Sequence, residues 1–288
     1  MEWLNVLIQG IALGGLFSLF ATGLSLIFGV MRLINLSHGD LIVLASFIAI
    51  TMIDILQFHP LISFVIIGGV MFALGYILQT FVFNKVIGED IMPPILVAFG
   101  LSIAIQNVLL EIFSADTRKL QIGSLDTASI TISDTISIGW FPLIIVVVAV
   151  LVIWGFQKLF YTTDIGKQFR ATSDDPETAK LMGIDNKHIF ALAMGIAMFT
   201  CAIAGTLLAM RTNISPDIGP SRLLFAFEAV IIGGLGNPWG TLVGGMILGI
   251  SQSIGAYIHP AIQILSGHLV FLLILIFRPT GLFPKRKD

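Results

Sequence analysis

The chain has 288 residues, of which 56% are hydrophobic and only 11% charged, with a formal net charge of -2 at neutral pH. Soluble domains carry about 25% charged residues, so this chain cannot cover itself with polar surface, and without a basic stripe it offers no nucleic-acid interface. Its one cysteine, Cys201, lies inside an apolar run, which leaves no disulfide framework or cysteine-based metal spacing and marks it as a packing residue.

In chain order, the first residues Met1-Glu2-Trp3-Leu4 lack the basic flank of a signal peptide, and the apolar stretch behind them outruns an h-region, so a retained span is expected. No charge interrupts residues 3–31, 61–83, 91–110, 136–157 or 189–210. Each run has the length of a membrane-crossing helix, about 20 residues for a hydrocarbon core about 30 Å thick. A shorter run, 41–53, is bracketed by Asp40 and Asp54 and is expected to be a further span. Residues 223–257 hold one charge, Glu228, and are split by Gly233-Gly234-Leu235-Gly236-Asn237-Pro238. That stretch cannot continue a helix, so a short or broken helix followed by a normal one is predicted. The last run, 261–277, ends at Arg278-Pro279. The expectation is an all-α polytopic integral membrane protein of about nine segments, within a range of 8–10, with one or more broken or re-entrant helices.

Lysines and arginines accumulate in short cytoplasmic loops. Lys158, Lys167, Arg170, Lys180 and Lys187 cluster in one loop, Lys85 lies in another, and Arg278, Lys285, Arg286 and Lys287 crowd the C-terminus. Nine crossings then place the N-terminus outside, the C-terminus in the cytoplasm, and the Ser-, Thr- and Asp-rich stretch 111–138 outside, against which Arg118 and Lys119 are a minor violation. No G-x-x-x-x-G-K-[ST] loop is present, so an ATPase would have to be a separate subunit.

The loop at about 160–187 carries helix punctuation: Asp175 suits an N-cap, Pro176 the first helical position, Glu177 the positive end of the helix dipole, and Gly183 a left-handed C′ position. A two-turn helix is predicted, marginal in water unless held between two partners. Gly-x-x-x-Arg-Ala followed by Pro-x-x-Ala-x-x-x-Gly-Ile resembles the coupling loop of permease subunits in the branched-chain amino-acid class of ABC importers. That resemblance implies that Arg170, Ala171, Asp175, Pro176, Ala179, Leu181, Gly183 and Ile184 meet the ATPase.

Two polar constellations lie inside the apolar runs. The first follows a glycine-rich first span and reads Asn35-Leu36-Ser37-His38-Gly39-Asp40. It is similar to the Asn-x-x-His-Gly of LivH-type permeases, and polar groups at an embedded helix break often mark substrate routes. Asn35, Ser37, His38 and Asp40 are therefore candidates for the translocation pathway, with helix capping as the alternative role of His38 and Asp40. The second holds Glu228, Gly233, Gly234, Gly236 and Asn237, and its Gly-Gly-x-Gly followed by Gly-x-x-x-Gly resembles the family's most distinctive segment. Glycines there permit close helix approach and expose backbone dipoles. Glu228, the one acid in its stretch, is a functional candidate whose partner the sequence does not name, the alternative being a glutamate near a membrane interface with the glycines present for packing alone. His59, His188, His259 and His268 occur singly, without the spacing of a metal site.

The finish Phe277-Arg278-Pro279-Thr280-Gly281-Leu282-Phe283 also resembles the family's Arg-Pro-x-Gly-Leu-Phe. Phe17 departs from the tyrosine that relatives often carry in the first span. The resemblance implies a single permease domain over 1–288 in the inner membrane, carrying branched-chain or related small amino acids. It also implies a second homologous permease in a heterodimer, two cytoplasmic ATP-binding subunits that use ATP and Mg, and an extracytoplasmic binding protein. This chain itself would hold no cofactor or metal and have no catalytic residues. Permeases of this kind also serve urea, short amides and other small solutes, and a secondary transporter would need an internal repeat and more intramembrane acids than Glu228.

Overall fold

A computed structural model describes residues 2–57, 60–88, 90–121, 123, 128–133 and 136–283. His59, Lys285, Arg286 and Lys287 lie outside the described residues. The helices are α1 (Glu2–Met31), α2 (His38–Leu56), α3 (Pro60–Phe81), α4 (Met92–Phe113), α5 (Trp140–Thr162), α6 (Asp164–Asp174), α7 (Pro176–Leu181), α8 (Asn186–Arg211), α9 (Gly219–Gly233), α10 (Pro238–Ile258) and α11 (Gln263–Phe277). Short 3-10 turns occupy Phe83–Lys85 and Pro260–Ile262.

Seven helices among the described residues are long and apolar enough to cross a membrane. The 19-residue α2 adds a helix of roughly 28 Å, close to the hydrocarbon thickness. The sequence places its start at residue 41, but the helix takes His38 and Asp40 into its first turn because both are buried against protein. The 15-residue α9 reaches only roughly 22 Å, the short helix expected before the glycine-rich break. These nine elements agree with a polytopic fold of about nine segments.

Two features were not expected. Strands β1 (Ser129–Ser133) and β2 (Ile136–Gly139) pair antiparallel, with Ile130 opposite Ile138 and Thr131 opposite Ser137. Their alternation of β-branched and small polar residues has the period of a strand, and so α5 begins at Trp140 and not at 136. The loop at 160–187 also contains a second helix, α6, which buries Gly166, Phe169 and Thr172.

The chain divides into two compact units, one of Met1–Thr22, Gln121–Trp154 and Phe225–Asp288, the other of Gly23–Leu120 and Gly155–Leu224. In the first, α1 crosses α10 at its glycines. A Cβ on Gly10 would stand 2.7 Å from the Ile250 Cα, and one on Gly14 would meet Gly245 and Met246 backbone. The Ser18 hydroxyl locks the crossing by donating to the Gly14 and Leu242 carbonyls at 2.7 and 3.1 Å. α10 also packs on α11. In the second unit α8 is the central helix, buried along most of its length, with α2 and α3 packed on it and α4 on α2. By contrast α4, α5 and α11 leave most of their apolar surface exposed, which suits helices bathed by lipid tails.

Candidate functional site

The turn between α1 and α2 is built around Asn35. Its Oδ1 accepts the Ser37 amide and hydroxyl at 3.1 and 2.6 Å, an Asx-type turn that satisfies a chain reversal inside protein. Asn35, Ser37 and His38 are fully buried. The His38 ring packs against the Cys201 sulfur, 3.7 and 3.8 Å from its two nitrogens. Cys201 is thus a packing residue, and it packs on a histidine.

Asp40 is anchored elsewhere. Its Oδ2 accepts from the Ser102 hydroxyl at 2.5 Å and its Oδ1 from the Gln106 amide at 2.9 Å. Ser102 and Gln106 are one turn apart on α4 and are joined at 3.3 Å. A carboxylate buried in low dielectric needs such donors, and here they tie α2 to α4. Neither residue was singled out from the sequence, although two polar side chains at i and i+4 in an uncharged span were a legible signal.

In the other unit, Glu228 finds its partner on α11. His268 Nδ1 lies 2.5 Å from its Oε1, and the imidazole stacks on Phe225, centroids 6.2 Å apart. Phe225 in turn meets Phe17 at 4.9 Å, which places the departure at Phe17 in the same cluster. The sequence left Glu228 without a partner and His268 without a role, because 40 residues separate them.

Beyond Glu228, the glycine-rich break is a clasp. Gly234 and Gly236 have φ of +100° and +78°. Asn237 caps α10 by accepting the Gly240 amide at 3.1 Å, and its own amide donates to the Phe283 carbonyl at 3.0 Å. A Cβ on Gly233 would strike the Gly240 backbone. The finish returns to this point, with the Leu282 and Phe283 amides donating to the Ile232 and Gly233 carbonyls at 2.9 and 3.2 Å. Two segments that the sequence offers as separate motifs form one structure.

The loop at 160–187 folds as its punctuation predicts. The Asp175 carboxylate accepts the Glu177 and Thr178 amides at 3.0 and 3.2 Å and the Thr178 hydroxyl at 2.5 Å. These bonds hold its carboxyl below the usual carboxylate range, the Thr178 hydroxyl contributing most. At the other end Gly183, φ +85°, lets its own amide donate to the Lys180 carbonyl at 3.0 Å and that of Ile184 to the Ala179 carbonyl at 3.1 Å, the bond pair of a Schellman motif. Ala179 faces inward, Ala171 and Ile184 are half-buried, and Leu181 and Met182 are 87% and 79% exposed.

Arg170 is turned back into the chain: its guanidinium donates to the Phe160 carbonyl and lies over the Tyr161 ring at 5.3 Å. It closes the α5–α6 corner, where Phe160 also stacks on Phe169 at 5.4 Å. At the end of α6 the Ser173 hydroxyl donates to the Gly29 carbonyl at 2.5 Å, and Arg32 donates to the Ser173 carbonyl at 3.4 Å. The loop is therefore fastened to the last turn of α1, three residues before Asn35. Among the described residues no three His, Cys, Asp or Glu side chains converge as a metal site would require.

Residues 6–277 match the family described as branched-chain amino acid transport system / permease component. The chain belongs to that family. This permease is 28% identical over 295 residues to the high-affinity branched-chain amino acid transport system permease protein BraD of Pseudomonas aeruginosa, covering 98% of this chain and 95% of BraD. It is 26% identical over 300 residues to the corresponding LivH of Salmonella typhimurium, covering 98% and 96%. A shorter likeness, 28% over 165 residues and 51% and 48% of the two chains, joins it to the probable branched-chain amino acid transport permease protein LivM of Methanocaldococcus jannaschii. The permease is thus a multi-pass membrane transport subunit.

Proposed function

We propose that this permease is one membrane-spanning half of an ABC importer that moves branched-chain or related small amino acids across the inner membrane. The observation that carries the proposal is the near-complete, end-to-end correspondence with BraD and LivH. The weaker, half-length likeness to LivM supports a second, homologous but different permease as the partner in a heterodimer. Two cytoplasmic subunits would bind ATP and Mg, and an extracytoplasmic protein would deliver the solute. The lysine and arginine distribution supports a cytoplasmic C-terminus and an N-terminus outside.

In this reading α7 docks on an ATP-binding subunit. A six-residue helix capped at both ends presents Leu181 and Met182 to the outside, and exposed apolar side chains on a polar loop mark an interaction surface. Movement of α7 would pass through α6 and the Ser173 bond into the end of α1 and the buried turn of Asn35, Ser37, His38 and Asp40. Glu228 and the Gly233–Asn237 clasp are the pathway candidates of the other unit.

The test is uptake of radiolabelled leucine by proteoliposomes holding the permease, its partner permease and the ATP-binding subunits, with binding protein outside. Uptake that needs both ATP and the binding protein is the expected result. Uptake that needs neither would overturn the proposal.

A further inference from the structure

The exposed faces of the long apolar helices are not alike. On α11 the outward side chains include Leu265, Leu269, Leu272 and Ile276, and on α5 they are Leu143, Val147 and Leu151 between two exposed tryptophans, Trp140 and Trp154. Lipid tails accommodate such surfaces. On α4, by contrast, Asn107 stands exposed. Its one hydrogen bond among the described residues goes to its own helix, Nδ2 donating to the Ile103 carbonyl at 2.8 Å, and its carboxamide oxygen accepts none. Phe113 ends α4, which puts Asn107 roughly 7 Å from the middle of the helix. In a helix that crosses the bilayer, that depth is well inside a hydrocarbon core about 30 Å thick.

The rotation of α4 is fixed from behind, where Ser102 and Gln106 are bonded to Asp40 at 2.5 and 2.9 Å. At about 100° per residue, Gly100, Ala104 and Asn107 fall in a stripe roughly 60° wide on the opposite side, and all three are exposed. A Cβ on Gly100 would meet nothing within 4 Å. Small residues four apart let the backbone of a second helix come close, and a polar side chain beside them bonds across the contact. Gly69 on α3 is equally open, but Val65, Ala73 and Ile77 along its face bring no polar group. Small residues therefore do not set α4 apart; Asn107 does.

Lipid tails offer the Asn107 oxygen no donor, and water is absent at that depth. In the importer reading the ATP-binding subunits and the binding protein lie outside the hydrocarbon, so neither reaches it. We infer that the Gly100–Ala104–Asn107 stripe of α4 seats a transmembrane helix of the second permease subunit, whose backbone packs on the two small residues and whose polar groups complete the bonds of the Asn107 carboxamide. The inference rests on the heterodimer reading and deepens it by naming the surface that holds the partner.

The test is photocrosslinking in membranes that hold this permease with its partner permease and the ATP-binding subunits. p-Benzoylphenylalanine is placed at Ile103 beside the stripe, at Val147 on α5 or at Leu273 on α11, which are 45%, 47% and 54% exposed. The expected result is a covalent adduct with the partner permease from position 103, at least about fivefold above that from 147 or 273. Ala104→Leu and Asn107→Leu should each lower the amount of partner permease recovered with this chain by at least about fivefold, while the amount of this chain in the membrane stays the same. Asn107→Leu discriminates by its sign, because leucine suits a lipid-facing site better than asparagine does. Wild-type recovery of the partner in both variants would overturn the inference, as would an adduct from position 103 with lipid alone or with a second copy of this chain. Leucine uptake that persists without a partner adduct from position 103 keeps the importer reading and removes only the α4 contact. A wild-type chain that recovers no partner permease fails the heterodimer reading, and this inference with it.

Discussion

The Leu282 amide donates to the Ile232 carbonyl at 2.9 Å, so the end of the described chain is stitched to the last turn of α9. That turn needs an outside donor, because the carbonyls at the end of a helix have no partners within it. Gly281, with φ +82°, makes the approach possible, as a Cβ there would stand 2.5 Å from the Ile231 carbonyl oxygen and 2.7 Å from the Gly234 backbone.

Gly281→Ala is expected to destabilise the protein by about 1–3 kcal/mol, since alanine must adopt a left-handed conformation and intrude on Gly234. Asn237→Ala removes an N-cap, about 1 kcal/mol, together with the bond to Phe283. Thermal unfolding of the detergent-purified complex measures both. An unchanged midpoint in Gly281→Ala would mean that the clasp does not hold in solution.

Ser102→Ala takes one of two donors from the buried Asp40 and is expected to cost about 1–3 kcal/mol. Asp40→Asn should cost less in the Ser102→Ala background than alone, because the two share one network. A double-mutant cycle of unfolding midpoints measures the coupling, and strict additivity would show that α2 and α4 are not joined through these groups.

Leu181 and Met182 touch little of their own chain, so Leu181→Asp and Met182→Asp should change stability by no more than about 0.5 kcal/mol. If α7 docks on the ATP-binding subunit, both should cut ATP-driven uptake by at least about tenfold, because a charge is driven into an apolar contact. Ala179→Asp, on the inward face, should instead unfold the loop. Uptake and co-purification of the ATP-binding subunit separate the two effects.

The Asp175 cap predicts a pH dependence. Its carboxyl is held below the ordinary range by the Thr178 hydroxyl and by the Thr178 and Glu177 amides. The folded loop therefore binds its proton less readily than the unfolded one. Its contribution to stability is present above the unfolded carboxyl pKa and disappears as pH falls through the lower folded value. Amide exchange at Glu177 and Thr178, corrected for intrinsic rates, should accelerate across that acid window in the wild type. It should stay flat in Asp175→Asn, which caps without a charge.

What the sequence determined on its own were properties local to a short stretch. An uncharged run of bilayer length has to be a spanning helix, because its backbone must satisfy itself in hydrocarbon. The α7 helix was legible for the same reason, since cap, first-turn proline and terminal glycine all act within nine residues. The pairing of β1 with β2 was local as well, but its period-2 pattern is short beside the spans around it. The tertiary structure alone decided which polar groups meet. Glu228 finds His268 40 residues on, Asp40 finds Ser102 and Gln106 62 and 66 residues on, and the glycine-rich break finds the chain's finish. Burial guarantees that each of these groups needs a partner, yet every apolar helix offers much the same surface to its neighbours, so only the packing of helices selects which donor arrives.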